Sequence, residues 1–70
     1  MSIRDTRAYK IMNSFDACAF IEGFSGEEAT QEQLVAAWQY IYDEGLHYQL
    51  QGFYGRTIHD MLDNGLIEPE

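Results

Sequence analysis

The feature that most constrains the fold is a helix whose two ends are both marked in the sequence. Residues 30–33 read Thr-Gln-Glu-Gln and have the form of a capping box, in which the first and last side chains exchange hydrogen bonds with each other's backbone amides. Apolar residues then recur at helical spacing until Gly45, a residue that readily takes the left-handed conformation ending a helix. The pattern predicts a helix over residues 31–44. Its predicted core residues are Leu34, Trp38 and Ile41.

A second apolar stripe follows and ends in the same way. It predicts a helix over residues 50–64, closed by the pair Asn64-Gly65. The core residues predicted on this helix are Leu50, Tyr54, Ile58, Met61 and Leu62.

The chain before residue 23 allows two interpretations. Its apolar residues, Phe15 among them, trace a helical face, but Asn13 and Ser14 are weak helix formers that favour caps. Either one helix runs over residues 5–22, or Ser14 caps a shorter helix over 14–22 and residues 1–12 form an arm or extension. Phe15 is predicted to be a core residue in both cases. No alternating pattern indicates a strand, so we expect an all-α fold: one domain, residues 1–70, forming a three-helix bundle around Trp38.

Seventy residues are near the lower limit for a self-sufficient core, and one cysteine, Cys18, can form no internal disulfide. Additional stability must then come from close helix packing or from oligomerisation. Ten aromatic residues are more than one small core readily hides, which favours a homodimer. The single cysteine and the lack of a charged-then-apolar leader indicate a cytoplasmic protein, and no apolar run is long enough for a membrane span.

The formal net charge is −8, which disfavours direct binding to nucleic acids or to anionic membranes. The charge is also uneven, because residues 1–10 are basic while eleven carboxylates and a single guanidinium, that of Arg56, follow Lys10. The basic segment is either a solvated arm or one half of a head-to-tail contact between copies. Asp43 and Glu44 lie at a helix C-terminus, where carboxylates are mildly unfavourable, which indicates a role in solubility or in binding a basic partner.

Arg56 ends the most distinctive segment, residues 50–56, which reads Leu-Gln-Gly-Phe-Tyr-Gly-Arg. Together with Trp-Gln-Tyr-Ile at 38–41 and Asp-Glu-Gly at 43–45, it resembles a group of small proteins encoded by tailed bacteriophages, whose hallmark is a Leu-Gln-Gly-x-Tyr-Gly-Arg segment. The resemblance covers residues 22–65. It implies a phage origin and a helical fold, and it brings neither an activity nor catalytic residues.

The glycines of this segment each cost about 1 kcal/mol inside a helix relative to alanine. Two structural explanations would account for this cost: another backbone approaches the glycines closely, or Gly52 precedes the regular turns of the helix. The functional explanation is that the bare backbone beside Arg56 forms a small cradle for an anion or carboxylate. Arg56 itself either pairs with Asp60 one turn later or clamps an acidic helix end, in the same chain or in a second copy. The candidate binding residues are Gln51, Gly52, Phe53, Gly55, Arg56, His59 and Asp60.

Catalytic and metal-binding patterns are not evident. His47 and His59 are twelve residues apart, without the spacing that places two imidazoles on one helical face, and Cys18 falls on an apolar stripe. No glycine-rich loop is followed by a lysine to hold phosphate. We therefore expect no enzyme, no metal and no cofactor.

These observations favour an interaction protein that acts in the host cytoplasm during infection. It would bind, and inhibit, a host or phage protein, with its acidic face occupying a basic surface that normally binds nucleic acid. One alternative is an oligomeric binder that sequesters a small ligand such as a nucleotide signal, with Arg56 and aromatic residues (Tyr40, Phe53 or Phe24) at a subunit interface. Another is a structural accessory protein without a separate activity.

Overall fold

A computed structural model describes residues 2–23, 29–50 and 52–69. These ranges contain four α-helices and two 3-10 turns, Ile3–Asp5 and Leu46–Tyr48, and no strand. The prediction of a small all-α bundle is confirmed. The helices are α1 (Arg7–Lys10), α2 (Ser14–Glu22), α3 (Gln31–Asp43) and α4 (Gly52–Asp63).

The N-terminal region follows the second interpretation in that α2 starts at Ser14, but the residue that caps this helix is Asn13 and not Ser14. Asn13 is in an extended conformation and its side chain accepts a hydrogen bond from the Asp16 amide, so a helix cannot run through it. The continuous helix over residues 5–22 is therefore wrong. The preceding residues are not a solvated arm, because the first 3-10 turn and α1 both pack against α3.

The ends of α3 form as predicted. Both hydrogen bonds of the Thr30–Gln33 capping box are present, and Gly45 has a φ of 69°. Helix α4 is one turn shorter than predicted, since Leu50 lies before it and the turn Leu46–Tyr48 was not foreseen. The sequence Gly-Phe-Ser-Gly at residues 23–26 predicts a turn between α2 and α3, and most of this segment lies outside the described residues.

The core is centred on α3, against which α2 and α1 pack, and α4 adds buried side chains to it. Trp38, Ile41, Tyr54 and Ile58 are buried as predicted, and the Trp38 and Tyr54 rings have centroids 5.4 Å apart. Leu50, Met61 and Leu62 pack partly buried against this core, whereas Leu34 is half-buried outside it. The core also contains residues that the sequence analysis did not single out: Met12, Ala17, Ala36, Ala37 and Ile67.

Phe15 is also predicted to be a core residue, and this prediction is wrong, because the residue is 79% exposed. Helix α2 buries Ala17 completely and packs Phe20 against the core, so this is the face that meets α3. A residue two positions earlier lies about 200° around a helix of 3.6 residues per turn, almost on the opposite side. Phe15 therefore points away from the bundle.

The two terminal segments are joined to the end of α3 by hydrogen bonds around Asp43, which we call the terminal clasp. Arg4 donates from Nε and from a terminal guanidinium nitrogen to the two Asp43 carboxylate oxygens, at 2.8 and 2.7 Å. The Tyr9 hydroxyl donates to Asp43 at 2.6 Å. The basic partner of Asp43 is thus Arg4 of the same chain.

The buried Gln39 completes the clasp. Its amide nitrogen donates to Asp43 and to the Glu68 carbonyl, both at 3.0 Å, and its amide oxygen accepts from the Glu68 backbone at 2.7 Å. These bonds hold the C-terminal segment over the core, where Ile67 is only 2% exposed. Ser2 also donates from its hydroxyl to the Glu68 carboxylate.

The clasp shifts the acid–base equilibria of its members. Burial of Asp43 opposes ionisation, but hydrogen bonds from Arg4, Tyr9 and Gln39 outweigh it and hold the pKa of Asp43 below its ordinary value. Burial, together with the bond to Asp43, raises the pKa of Tyr9 to about 12. The hydrogen bond to Asp43 likewise raises the pKa of Arg4, against the opposing effect of burial.

Candidate functional site

An open groove lies between the second 3-10 turn and α4, and it includes part of the predicted binding segment. Its volume is about 350 Å³. We call it the α4 groove, and it is lined by Tyr42, His47, Tyr48, Gly55, Ile58, His59 and Leu62.

One wall of the α4 groove is aromatic. The His47 and Tyr48 rings have centroids 4.1 Å apart, and Tyr42 lies 5.7 Å from His47. The left-handed Gly45 reverses the chain after α3 and starts the turn that carries these rings. Tyr48 is 85% exposed, so a large flat surface is available for contact. The Nδ1 atom of His47 is buried and has no hydrogen-bond partner within the described parts of the chain.

The other wall is a stripe of α4 at the spacing i, i+3, i+4 and i+7, formed by Gly55, Ile58, His59 and Leu62. Gly55 is bare, because within residues 2–23, 29–50 and 52–69 no atom outside its own helical turns lies within 4 Å of the place a Cβ would occupy. The same is true of Gly52. No backbone in the described parts of the chain approaches either glycine closely, so the described structure does not account for the two glycines in that way.

Replacing Gly55 with alanine is expected to raise the free energy of unfolding by about 1 kcal/mol, because the helix gains propensity and nothing occupies the space. Urea denaturation followed by circular dichroism measures the change. Gly45→Ala is the matched control and should destabilise the protein, since Gly45 has a φ of 69°. A loss of stability in Gly55→Ala would show that the glycine has a structural role in the folded chain.

The other predicted binding residues that the structure describes lie along α4 and do not all line the groove. His59 lines the groove with Gly55, Gly52 is exposed as the first residue of α4, and Phe53 is half-buried against the Tyr54 ring, with centroids 4.3 Å apart. Asp60 is exposed, and its backbone carbonyl accepts from Asn64 at the helix end. Gln51 lies outside the described residues, and the anion cradle expected from the bare backbone beside Arg56 stays a prediction.

Arg56 is exposed and forms no ion pair with any residue that the structure describes. The predicted pair with Asp60 is not formed; instead, His59 Nδ1 lies 3.4 Å from a carboxylate oxygen of Asp63. Arg56 follows Gly55 and precedes His59 by one turn, so it is next to the groove without lining it.

Two of the aromatic residues invoked for small-ligand binding are engaged within the chain. Tyr40 is half-buried and meets Tyr9 edge to face, with ring centroids 6.3 Å apart, and Phe53 packs on Tyr54. Phe24 lies outside the described residues. The exposed aromatic residue of this region is Tyr48, which the sequence analysis did not select because no helical pattern includes it.

The groove also brings together His47 and His59, which their spacing in the sequence did not predict. Across the described ranges, no group of three or more histidine, cysteine or acidic side chains is placed to hold a metal ion. Cys18 is half-buried and packs against the core. Within the same ranges, no helix is long and apolar enough to cross a membrane.

A second cleft, of about 390 Å³, lies between the first 3-10 turn and the C-terminal segment. Its polar side chains are occupied within the fold: Ser2 donates to Glu68, and the Thr6 hydroxyl donates to the Ile3 carbonyl at 2.6 Å. The α4 groove, with its exposed ring and bare glycine, is the better candidate for binding.

The chain is a small all-α protein with an open, largely apolar groove on its last helix. It matches no protein-family model, no curated protein and no solved structure. The groove, its aromatic wall and the acidic charge are therefore the features that bear on function.

Proposed function

We propose that this chain is a small acidic interaction protein of a tailed bacteriophage that binds, and inhibits, a host or phage protein through the α4 groove. The observation that carries the proposal is the groove itself. It combines an aromatic wall, Tyr48 at 85% exposure, with a helix face that Gly55 leaves bare.

The groove has the dimensions to hold an apolar anchor side chain. A cavity of about 150 Å³ is enough for a benzene ring, and the α4 groove has about 350 Å³. Protein interfaces are commonly dominated by a few aromatic or aliphatic anchors seated in such pockets. Tyrosine is also enriched in such contacts because it presents a large area at little cost in conformational entropy.

Charge indicates the kind of partner. The formal net charge is −8, and the exposed residues on and before α4 include Glu44, Asp60 and Asp63 beside the single cation Arg56. A complementary partner presents an apolar side chain within a basic surface, as nucleic-acid-binding proteins do. Occupation of that surface by this chain would inhibit the partner by excluding nucleic acid.

Affinity capture from bacterial host lysates tests the proposal with three tagged proteins: wild type, Tyr48→Ala and Gln49→Ala. Gln49 is the matched control, because it is exposed and adjacent to Tyr48 but does not line the groove. We expect wild type and Gln49→Ala to retain the same protein and Tyr48→Ala to lose it. The purified partner should then bind wild type with an affinity that falls as salt is added, because charge complementarity contributes.

Two results would overturn the proposal. Equal capture by Tyr48→Ala would show that the groove is not the interface. Native mass spectrometry of the wild type that revealed a bound small molecule, with no protein captured, would instead support the ligand-sequestering alternative.

A further inference from the structure

A second exposed surface lies at the junction of α1 and α2, which we call the Phe15 knob. Phe15 is 79% exposed and Ile11 is 66% exposed, four residues apart in the sequence. They are two of the four large hydrophobic residues that are most exposed in the described parts of the chain, and they lie on either side of the same helix junction, which makes this junction a candidate contact surface. The knob shares no residue with the α4 groove.

The knob is also the basic part of the chain. Arg7 and Lys10, on α1 just before Ile11, are both exposed, and neither forms an ion pair in the described parts of the chain. Asp16 is the acidic residue at this junction, and its carboxylate accepts from the Asn13 side chain. The junction of α1 and α2 therefore combines exposed apolar residues with two cations that have no ion pair among the described residues, on a chain whose formal net charge is −8.

The α4 groove has the complementary properties. It is apolar and has room for a phenyl ring. Among the exposed residues of α4 are the carboxylates Asp60 and Asp63 and the guanidinium of Arg56, and Asp63 lies 3.4 Å from His59, which lines the groove. The partner expected for this groove presents an apolar side chain within a basic surface. The Phe15 knob of this chain is a surface of that kind. The long-range repulsion between two copies of net charge −8 is screened beyond about 8 Å at physiological salt, whereas contacts at the interface are not.

We propose that the Phe15 knob of one copy docks in the α4 groove of a second copy. The two surfaces are different, so the contact is heterologous, and copies joined head to tail form a ring or an open chain rather than a symmetric dimer. Self-association covers the groove and so competes with any other protein that binds there. The inference uses the same groove as the proposed function but does not depend on it, because self-association is measured with this chain alone.

Sedimentation velocity on three proteins and one mixture tests the inference. Phe15→Ser removes the knob at an exposed site, and Gly55→Gln fills the groove with a polar side chain at a helix position where space is open. We expect wild type to form species larger than a dimer, or a closed ring, as its concentration rises. Each variant alone should associate at least about tenfold more weakly. Circular dichroism checks that both variants remain folded.

The equimolar mixture of the two variants is the decisive sample. Phe15→Ser keeps an intact groove and Gly55→Gln keeps an intact knob, so the mixture should form a one-to-one heterodimer and nothing larger. A wild type that stays monomeric up to its solubility limit would overturn the inference. So would a folded Phe15→Ser that associates like wild type, or a mixture that forms no heterodimer. If the wild type does not self-associate but still captures a foreign partner, this inference fails and the proposed function does not.

Discussion

Replacing Asp43 with alanine is expected to lower the free energy of unfolding by about 3 kcal/mol. The substitution leaves Arg4, Tyr9 and one donor of Gln39 without their common acceptor, in a place where the Asp43 side chain is only 14% exposed. A chain of this size has a total stability of roughly 4 to 10 kcal/mol. Urea denaturation followed by circular dichroism should therefore show a large fall in the midpoint.

Glu44→Ala is the matched control for Asp43→Ala. It removes the same charge from the next residue, which is exposed, and should change stability by less than about 0.5 kcal/mol. Equal effects of the two substitutions would mean that net charge, and not the clasp, determines the result.

The clasp also predicts how stability depends on pH. The pKa of Asp43 is lowered by folding, so its contribution is complete above the unfolded pKa of about 3.9 and is lost as the pH falls below it. The pKa of Tyr9 is raised to about 12, so its contribution is complete below the ordinary value of about 10 and is lost as the pH rises through 12. Urea denaturation at a series of pH values from 2.5 to 12 measures both effects. The Asp43→Asn variant should lack the loss of stability at low pH that Asp43 causes, and the Tyr9→Phe variant should lack the loss at high pH that Tyr9 causes.

Replacing Tyr54 with alanine is expected to cost about 4 kcal/mol, the largest effect of a single side chain that we foresee. Tyr54 is 2% exposed, its ring packs on Trp38, and its hydroxyl donates to Glu22 at 2.7 Å. Burial of the hydroxyl, together with that bond, raises the pKa of Tyr54 above its ordinary value. The alanine variant should show a large fall both in its urea midpoint and in its melting temperature, measured by circular dichroism.

Two further variants separate the contributions of Tyr54. Tyr54→Phe keeps the ring and should cost only about 1 kcal/mol, the usual net value of one hydrogen bond. Tyr48→Ala removes the same atoms from a side chain that is 85% exposed and should leave stability nearly unchanged. A Tyr54→Ala variant as stable as Tyr48→Ala would mean that the ring does not hold α4 to the core.

Local features of the fold could be predicted because they depend on residues close together in the sequence. The capping box at Thr30 and the glycine stop at Gly45 each involve fewer than five consecutive residues, and both form as expected. The burial of Trp38, Ile41 and Tyr54 follows from helical spacing alone. Asn13 is a weak helix former and so indicated a possible helix boundary, but this did not distinguish one long helix from a shorter one.

Features that depend on how the helices pack could not be predicted in the same way. Phe15 lay on an apolar stripe, but α2 has apolar residues on more than one side, and only contact with α3 selects the face containing Ala17. The bonds of Asp43 to Arg4 and of Gln39 to Glu68 span 39 and 29 residues. The meeting of His47 and His59 in one groove likewise depends on the turn at Leu46–Tyr48.

The terminal clasp has a consequence for synthesis of the chain on the ribosome. Gln39 lies at the centre of α3, yet two of its hydrogen-bond partners are backbone groups of Glu68. Until residue 68 has emerged from the exit tunnel, the buried amide lacks these partners and Ile67 cannot cover the core. The helices that precede α4 therefore remain incompletely stabilised on the nascent chain, and cooperative folding follows emergence of the C-terminal segment.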